Sequence, residues 1–279
     1  MGKKQSAWLW QEKQGVRWVS DPMLCAGGLV RQGFCGRTGG VSQEPYASLN
    51  ISYLSGDGTE EIRENRRRFA AACGFSLGSW CGLRQVHGLR IVKAEKKDAG
   101  RGVLDPAVVL EQADGQITDI PGLTLITQHA DCIPLYFLDP VHKAIGLAHA
   151  GWKGTMSGMA GVMVEALVKA YGSRPQDLLV AVGPGAGPCH YEVDEPVIRA
   201  ATALFGPGSR ELSRVLLPSK KPGRAYADLW QANVLLLERR GVKAAHISCA
   251  GLCTICENRE FFSHRKGDAG RQCAFLQLI

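Results

Sequence analysis

Cys132 and His149 suggest chemistry because they lie near the ends of two neighbouring apolar segments. The segments IPLYFL and AIGLAHA each predict a β-strand, and the Asp-Pro-Val-His sequence at 139–142 between them suits a type I turn. If the turn is centred between Pro140 and Val141, the hairpin pairs Cys132 directly with His149. Opposed residues of this kind share a face, with Cβ atoms about 4.5–5.5 Å apart. A thiolate and an imidazole so placed could bind one zinc ion, which accepts sulfur at about 2.3 Å and nitrogen at about 2.0–2.1 Å.

Three interpretations of this pair are open. Both residues could be ordinary buried residues at a strand end. His149 could deprotonate Cys132, as in cysteine hydrolases. The two could also bind a metal with a third ligand, for which His87 in RQVHG is the best candidate because it follows a strand-like stretch and borders Gly88. His129 is three residues from Cys132, so on one strand it would point to the opposite face. Three ligands with an open fourth position are typical of catalytic zinc, which lowers the pKa of its bound water.

Hydrophobic periodicity predicts the elements that position these residues. Apolar segments predict strands over 27–35, 123–127, 133–138, 144–150, 180–183 and 246–249. Helical spacing predicts helices over 59–73, 155–172, 194–205 and 228–240, the last capped by Asp228. Residues 1–20 suggest a frayed or strand-like lead-in. Because strands and helices do not alternate strictly and no linker interrupts the chain, we expect one α+β domain over 1–279, a mixed β-sheet flanked by helices.

The composition of the 279 residues is that of an ordinary globular protein, with 45% apolar, 7% aromatic and 21% charged residues. This composition excludes the disordered, collagen-like and coiled-coil classes. No apolar run approaches the ~18 residues of a membrane-spanning helix, and the N-terminus lacks the apolar core of a signal peptide. Gly2 and Ser6 fit a myristoylation pattern, which chance explains better because the pattern is short. Ten cysteines without a secretion signal predict a protein of the reducing cytoplasm, in which the cysteines are buried apolar residues, metal ligands or nucleophiles.

The charge of the chain favours small anions over nucleic acids. Its formal net charge is +7, with a pI near 8.9. This moderate field suits ligands such as phosphate but falls short of a nucleic-acid signature. The densest run, Arg66-Arg67-Arg68, lies in a helical pattern without interleaved aromatic residues, so it predicts a solvated helix face. We expect neither a nucleic-acid nor a membrane partner.

A series of longer motifs points to a family. The chain contains, in this order, GFCGRTGGVSQEPYASLNIS, RENRRR, LRQVHG, QADG, HADCIPLYFLDP, LAHAGWKGT, VGPGAGPCHYEV, DLWQAN, CTIC and FFSHRKGDAGRQ. This series resembles the bacterial family named variously multicopper polyphenol oxidase (laccase) domain, peptidoglycan editing factor and purine nucleoside phosphorylase. The resemblance extends from about residue 33 to 278, and ADCIP with HAGWKGT is its most specific part.

The resemblance implies a zinc-dependent enzyme that acts on purine nucleosides. Such an enzyme phosphorolyses adenosine, inosine and methylthioadenosine and also deaminates adenosine. The metal-site histidine, cysteine and histidine of the family fall on His87, Cys132 and His149. This sequence departs from the usual pattern at Lys153, where arginine is common, and at His190, where a second cysteine is common; both departures bear on fine specificity more than on the reaction. Deamination needs a zinc-activated water at C6, whereas phosphorolysis needs a phosphate near the ribose C1′ and a proton donor for the base.

The word laccase in the family name needs a separate test. The chain has seven histidines and no His-x-His pair, so blue-copper oxidase chemistry is not expected as its main function. Copper could still occupy a site with two nitrogen ligands and one sulfur ligand.

Further polar residues in these motifs are candidates for substrate contacts. Arginine suits phosphate through its bidentate fork, and Arg37 and Arg265 are favoured over Arg63 and Arg271 because each lies in a motif-bearing loop. For each arginine, a plain surface or structural role is about as plausible. The remaining candidates are Asp131, which could orient a metal ligand, shuttle a proton or make ordinary strand-end hydrogen bonds, and Gln85 and Asn50, which could touch the nucleoside.

Two alternatives to the nucleoside enzyme stay open. The first is a cysteine hydrolase or editing factor that acts on peptidoglycan precursors, with Cys132 as the nucleophile. The second is a non-catalytic protein that binds a metal or a nucleotide. Cys253-x-x-Cys256 has the spacing of half a zinc knuckle, but no second pair lies nearby in the sequence, so packing is favoured there over metal binding.

Overall fold

The computed structural model describes residues 8–104 and 111–279. The strands are β1 (Leu9–Lys13), β2 (Val16–Ser20), β3 (Val30–Cys35), β4 (Trp80–Gly82), β5 (Ile91–Lys93), β6 (Gly115–Thr118), β7 (Thr124–His129), β8 (Ile133–Asp139), β9 (Ala144–Ala150), β10 (Leu179–Val182), β11 (Glu192–Val193), β12 (Leu216–Pro218), β13 (Ala225–Ala227), β14 (Ile247–Cys249) and β15 (Gln272–Leu278). The α-helices are α1 (Pro22–Cys25), α2 (Thr59–Cys73), α3 (Trp152–Met156), α4 (Met159–Tyr171), α5 (Glu195–Phe205), α6 (Arg210–Val215) and α7 (Leu229–Arg239). No helix within the described ranges is long and apolar enough to cross a membrane.

The strands form two large mixed sheets and one small sheet. The first sheet has the order β1-β2-β3-β15-β7-β4, and the second has the order β14-β10-β8-β9-β6-β5. The first sheet has a parallel pair at one edge, β4 with β7, and the second has a parallel pair at each edge, β5 with β6 and β10 with β14. The pairs between these edges are antiparallel. The small sheet has the order β11-β13-β12. The α+β prediction is therefore confirmed, and the mixed strands are divided between two large sheets.

The two large sheets pack face to face between helices. Leu125 and Leu276 of the first sheet share a buried cluster with Tyr136 and Leu147 of the second. The other face of the second sheet packs against α4 and α7, and the other face of the first sheet packs against α2. Since successive side chains of a strand point to opposite faces, β8 and β9 have one row of side chains toward the first sheet and one toward the helices.

Most of the predicted elements are confirmed. For example, helix 59–73 ends where predicted, at Gly74, whose φ of 77° is the left-handed conformation that glycine adopts readily. The structure differs from the predictions in three places. The predicted helix over 155–172 is two helices, α3 and α4, because Gly158 has a φ of 90° between them. β15 was not predicted, although it lies in the middle of the first sheet between β3 and β7. Residues 9–20 of the predicted lead-in form an antiparallel hairpin.

The predicted register of the β8–β9 hairpin is wrong. Its closing pair is Asp139 with Ala144, and His149 pairs with Pro134 instead of Cys132. The loop is longer than the predicted turn because the Asp139 carboxylate accepts hydrogen bonds from the backbone N–H groups of Val141 (2.9 Å) and His142 (3.0 Å). The shift moves each pairing by two positions, so side chains keep their faces.

We expect the Asp139 turn to stabilise the fold near neutral pH and to lose this contribution in acid. Burial would raise the pKa of Asp139, but the nearby Ser173 hydroxyl and the hydrogen bonds from His142 outweigh it and lower the pKa. Such a carboxylate stabilises the fold above its unfolded pKa of about 3.9, and the contribution is lost as the pH falls through the lower folded pKa. Asp139→Asn should therefore lower the free energy of unfolding by about 1–2 kcal/mol at pH 7 and by less in strong acid. Urea titrations between pH 7 and 2.5 measure this, with exposed Asp119→Asn as the control.

Arg66 is not part of a solvated face, which corrects the expectation for the arginine run. Its side chain is 1% exposed. The guanidinium donates to the carbonyls of Ile51 (2.7 and 2.9 Å), Val103 (2.8 Å) and Gly102. Arg67 retains a side chain that is 52% exposed, as predicted for the solvated face. Arg66 therefore fastens the segments around residues 51 and 103 to α2.

Replacing Arg66 should be strongly destabilising. Arg66→Met keeps much of the apolar stem but leaves the buried carbonyls of Ile51 and Val103 without their donor, and each lost partner costs about 1–3 kcal/mol. We expect the free energy of unfolding to fall by about 3–5 kcal/mol. Arg67→Met should change it by less than about 0.5 kcal/mol. Chemical denaturation of both variants measures the difference, and equal losses would contradict the structural role given to Arg66.

Candidate metal centre

His87, Cys132 and His149 meet at one end of the two packed sheets. Each offers a nitrogen or sulfur atom, and these atoms all lie within 4.8 Å of one another. His149 is near the end of β9, Cys132 directly precedes β8, and His87 lies on the loop after β4. Cys132 and His149 reach the same cluster despite the incorrect register, because a shift of two positions keeps the two side chains on the same face.

Gly151 leaves room for this cluster. A Cβ atom at Gly151 would lie 2.9 Å from the Cys132 sulfur and 3.2 Å from His87 Nδ1, too close for both. The chain therefore approaches the cluster at a position where only a hydrogen fits. Two imidazoles and a thiolate are ligands that zinc accepts, and three protein ligands leave a position open. The donor set and the space between the side chains fit that ion.

Asp114 connects two of these three residues. Its carboxylate lies 2.9 Å from His149 Nδ1 and accepts hydrogen bonds from the backbone N–H groups of Val86 (3.1 Å), His87 (3.0 Å) and Gly88 (2.7 Å). The same carboxylate thus orients the His149 ring and holds the loop in which His87 has a φ of 59°. Carboxylates that orient metal-ligating histidines act in this way. Sequence reasoning did not single out Asp114, and its only signal was its place in the QADG motif before β6.

A cavity of about 580 Å³ opens over the cluster, within the usual size range of small-molecule sites. It is lined by Ser52, Leu54, Ser55, Leu83, Gln85, His87, Gln128, Ala130, Asp131, Cys132, His149, Trp152, Tyr191, His264, Arg265 and Arg271. Gln85, a predicted site residue, lies in this wall with its amide bonded to the backbone N–H (2.7 Å) and carbonyl (2.8 Å) of Gln128. Trp152, Tyr191 and His264 were not predicted, because nothing in the sequence places these separate segments around one cavity.

Comparison with known proteins identifies the family. A family model described as multi-copper polyphenol oxidoreductase laccase matches residues 31–279. The chain belongs to this laccase family. A purine nucleoside phosphorylase, YlmD, from Geobacillus stearothermophilus is 41% identical over 250 residues, covering 88% of each chain. A purine nucleoside phosphorylase from Deinococcus radiodurans is 38% identical over 260 residues, covering 92% of this chain and 93% of that one. The crystal structure of YlmD from Geobacillus stearothermophilus has a TM-score of 0.90 at 37% identity, covering 98% of this chain and 99% of that chain.

The two histidines of the cluster in this laccase-family chain have opposite pKa shifts. Burial would lower the pKa of His149, but the negative charges of Cys132 and Asp114 outweigh it and raise the pKa to about 9. Burial, together with the charges of His149 and Lys153, lowers the pKa of His87. His87 therefore offers a neutral nitrogen near neutral pH. Metal binding at His149 would compete with its proton, which couples metal affinity to pH.

Asp131 holds together the cavity wall next to Cys132. It has a φ of 80°, a conformation that non-glycine residues seldom adopt. Its carboxylate accepts hydrogen bonds from the Thr254 hydroxyl (2.7 Å), the Ser263 hydroxyl (3.1 Å) and the Arg265 backbone N–H (2.8 Å). These bonds fix the turn before β8 and match the strand-end hydrogen-bonding role among those proposed for Asp131.

His129 contacts the cluster from the opposite sheet. The expectation that it points away from Cys132 assumed one strand, whereas His129 ends β7 and Cys132 precedes β8 in the other large sheet. Its ring centre lies 5.3 Å from that of His149. Its Nε2 bonds the Thr127 hydroxyl (2.8 Å) and its Nδ1 the Cys132 carbonyl (3.0 Å), so both nitrogens are occupied by neighbours. Burial and the charge of His149 lower the pKa of His129 well below its usual value.

Of the arginine candidates, Arg265 and Arg271 line the cavity. Neither makes an ion pair within residues 8–104 and 111–279. The Arg265 guanidinium lies over the Tyr191 ring, and its Nη1 donates a hydrogen bond to the Glu192 carbonyl (2.9 Å). Arg37, which the sequence favoured, instead lies behind the wall, where it pairs with Asp268 (3.3 Å) and bonds two backbone carbonyls. Arg63 pairs with Glu60 on an exposed helix face (2.5 Å).

Asn50 also lies behind the cavity wall and supports it. The side chain is buried, donates to Ser55 (2.7 Å) and Asp57 (2.8 Å), and accepts from the backbone N–H of Arg271 (2.9 Å). Its amide is thus occupied by the loop that carries Ser52 and Ser55 and by the start of β15. The structure brings Gln85, Asp131 and Arg265 to the cavity and places Asn50 and Arg37 behind it.

Proposed function

We propose that this chain is a zinc-dependent purine nucleoside phosphorylase that acts on adenosine, inosine and methylthioadenosine and also deaminates adenosine. The observation that carries the proposal is the cavity over His87, Cys132 and His149, whose wall also contains two arginines that form no ion pair with any residue the structure describes. The relatives that are named purine nucleoside phosphorylase support it. The two-nitrogen, one-sulfur donor set suits zinc and would also accept copper.

Phosphorolysis requires that the cavity bind a phosphate anion and a nucleoside at the same time. The bond from the ribose C1′ to the purine nitrogen breaks, a phosphate oxygen bonds to C1′, and the departing base takes a proton. Arg265 and Arg271 can hold the phosphate through charge-assisted hydrogen bonds. Trp152 and Tyr191 offer aromatic surface for the purine, and His264 lies in the same wall as a group that can carry the proton. A bound zinc ion would supply Lewis acidity at His87, Cys132 and His149.

Product chromatography tests the proposal with protein of measured metal content. Incubation with adenosine should give adenine and ribose 1-phosphate only when phosphate is present. Inosine and ammonia formed without phosphate would establish the deaminase activity. If adenosine stays intact under both conditions in zinc-loaded protein, the nucleoside proposal is wrong. Saturable purine binding without turnover would then favour the non-catalytic binding protein.

One observation favours the cysteine hydrolase as a second candidate. Cys132, His149 and Asp114 form a nucleophile, a base and a group that orients the base. Peptidoglycan precursors are the substrates to test for this candidate. The two candidates need different states of the Cys132 sulfur. A nucleophilic thiolate must be free of metal, whereas in the phosphorylase proposal the same sulfur binds zinc.

We expect Arg271 to contribute to the binding of phosphate more than to the binding of the nucleoside. Its Nη1 is held by the carbonyls of Asp268 (3.2 Å), Ala269 (3.0 Å) and Gly270 (2.8 Å), and the residue lines the cavity. Arg271→Gln should raise the KM for phosphate by about 10- to 100-fold, because a hydrogen bond to a charged group contributes about 1.5–3 kcal/mol. The KM for adenosine should change by less than about threefold. Steady-state kinetics measures both constants, and Arg63→Gln is the control outside the cavity.

A further inference from the structure

A second group of sulfur and nitrogen ligands lies outside the metal centre described above. Cys189, His190, Cys253 and Cys256 each offer one ligand atom, and all four atoms lie within 4.8 Å of one another. The Cys256 sulfur is 3.4 Å from the Cys189 sulfur and 3.3 Å from His190 Nδ1. Three of the side chains are exposed and Cys253 is buried. From this cluster we propose that the four residues bind a structural zinc ion.

The spacing of the cluster fits one tetrahedral ion better than it fits a disulfide. A tetrahedral zinc ion at about 2.3 Å from sulfur and about 2.0–2.1 Å from nitrogen holds two sulfur ligands about 3.8 Å apart and a sulfur and a nitrogen ligand about 3.6 Å apart. The Cys256–Cys189 distance of 3.4 Å and the Cys256–His190 distance of 3.3 Å are shorter than these separations by only about 0.3–0.4 Å. A disulfide would need sulfur atoms about 2.05 Å apart and would leave two other ligands unused. Three cysteines and one histidine are a common donor set of structural zinc.

The fold brings the two halves of the site together without the metal. Cys189 and His190 lie on the loop after β10, and Cys253 and Cys256 lie on the loop after β14, its parallel neighbour. The loops are joined where Gly185 bridges Cys253 and where the Gly187 N–H donates to the Cys253 sulfur (3.3 Å). The Cys-x-x-Cys pair seemed unpartnered in the sequence because its partners are more than sixty residues away. A preformed pair of loops lowers the ordering cost of metal binding.

The charges around the cluster suit a bound zinc with three thiolates. On binding, each cysteine gives its proton to solvent, and three thiolates with one Zn²⁺ carry one net negative charge. His190 of the cluster also lines a pocket of about 460 Å³ that contains Glu192 beside Lys221, Arg224, Arg265 and Lys266. Glu192 pairs with Lys221 (2.7 Å), and the remaining cations leave an excess of positive charge that suits a zinc–thiolate group with net negative charge. Without metal, burial raises the pKa of Cys189 and Cys256, so zinc has to displace their protons when it binds.

The proposed ion would fix part of the cavity wall. Tyr191 follows His190 directly and lines the cavity, and Thr254 follows Cys253 and donates to Asp131 beside Cys132 (2.7 Å). The zinc would thus fasten both loops where they meet the metal centre. This is a structural role, independent of the reaction proposed above.

Zinc counting on purified, reduced protein tests the site. Elemental analysis should give two zinc ions per chain in the wild type, one in Cys189→Ser/Cys256→Ser, and one in Cys132→Ala. Cys249→Ser changes an exposed cysteine outside both clusters and should keep two. Cobalt-loaded Cys132→Ala should still show strong thiolate-to-cobalt absorption, which the same protein with Cys189→Ser/Cys256→Ser added should lose.

Three results would overturn the proposal. These are an unchanged zinc count in Cys189→Ser/Cys256→Ser, the absence of zinc from folded Cys132→Ala, and a Cys189–Cys256 disulfide by mass spectrometry in wild-type protein that lacks a second zinc. Cys132→Ala leaves the four-residue cluster intact, so the test holds even if the double variant does not fold. Because metal content is measured separately from turnover, a failure of the phosphorylase proposal would not affect this result.

Discussion

Cys132→Ala is expected to lose one zinc ion per chain and to lower adenosine phosphorolysis by more than about 100-fold. The sulfur is one of three candidate ligands found at this centre among the described residues, and the nearby His129 is a poor substitute because neighbours bond both of its nitrogens. Mutation of residues that merely support metal ligands costs about 10–100-fold, so loss of a ligand should cost at least as much. Zinc analysis and steady-state kinetics on the same preparation measure the two effects together.

A second substitution separates the metal ligand from the nucleophile. Cys132→Asp supplies a carboxylate that can bind zinc but removes the thiol. If Cys132 is a ligand, this variant should retain zinc and at least part of the phosphorolysis. If Cys132 is the nucleophile of a hydrolase, Cys132→Ala should instead keep its zinc content while turnover disappears. Cys249→Ala is the matched control and should keep both metal and activity.

The hairpin illustrates how far local sequence patterns reach. The apolar segments predicted β8 and β9 correctly, since their burial is continuous over both strands. The turn chemistry did not predict the register, because the Asp139 side chain lengthens the loop by bonding two backbone N–H groups. The face of each side chain was nevertheless predictable, because a shift of two positions preserves it. The sequence therefore predicted that Cys132 and His149 lie on the same face and close together, although the two residues are not a directly opposed pair.

The rest of the site depends on contacts between segments that are distant in the sequence. Hydrophobic periodicity predicts the strands and helices but not which of them become neighbours. Asp114 and His149 come from strands that pair, yet the choice of β6 as the neighbour of β9 is a property of the whole sheet. His129 approaches from the other sheet. His87 was the best candidate from its place after a strand-like stretch, and the resemblance implied the same residue. β15 was missed for a similar reason, since it follows a loop of basic and polar residues and its place between β3 and β7 is set by the fold.

Asp114→Asn is expected to weaken zinc binding by about 10–100-fold while the protein stays folded. The amide keeps the size of the carboxylate but loses its charge, and it presents an NH₂ group where the carboxylate accepts from the N–H groups of Val86 and Gly88. The pKa of Asp114 is lowered: burial would raise it, but hydrogen bonds from His149 and the Gly88 N–H outweigh that effect. The native protein therefore uses the ionised form, which the variant cannot supply.

The readout for Asp114 is rescue by metal. If the carboxylate positions His149 and the His87 loop, phosphorolysis by Asp114→Asn should be low at limiting zinc and should recover substantially as free zinc is raised, with an unchanged KM for adenosine. Asp119→Asn, which alters an exposed aspartate 3.6 Å from Lys93, should need no added zinc. Activity that stays low at saturating zinc would indicate that Asp114 acts on the reaction or the fold instead. Rescue would show that a carboxylate buried behind the cavity wall sets the metal affinity, because it bonds both the ring of one ligand and the backbone of another.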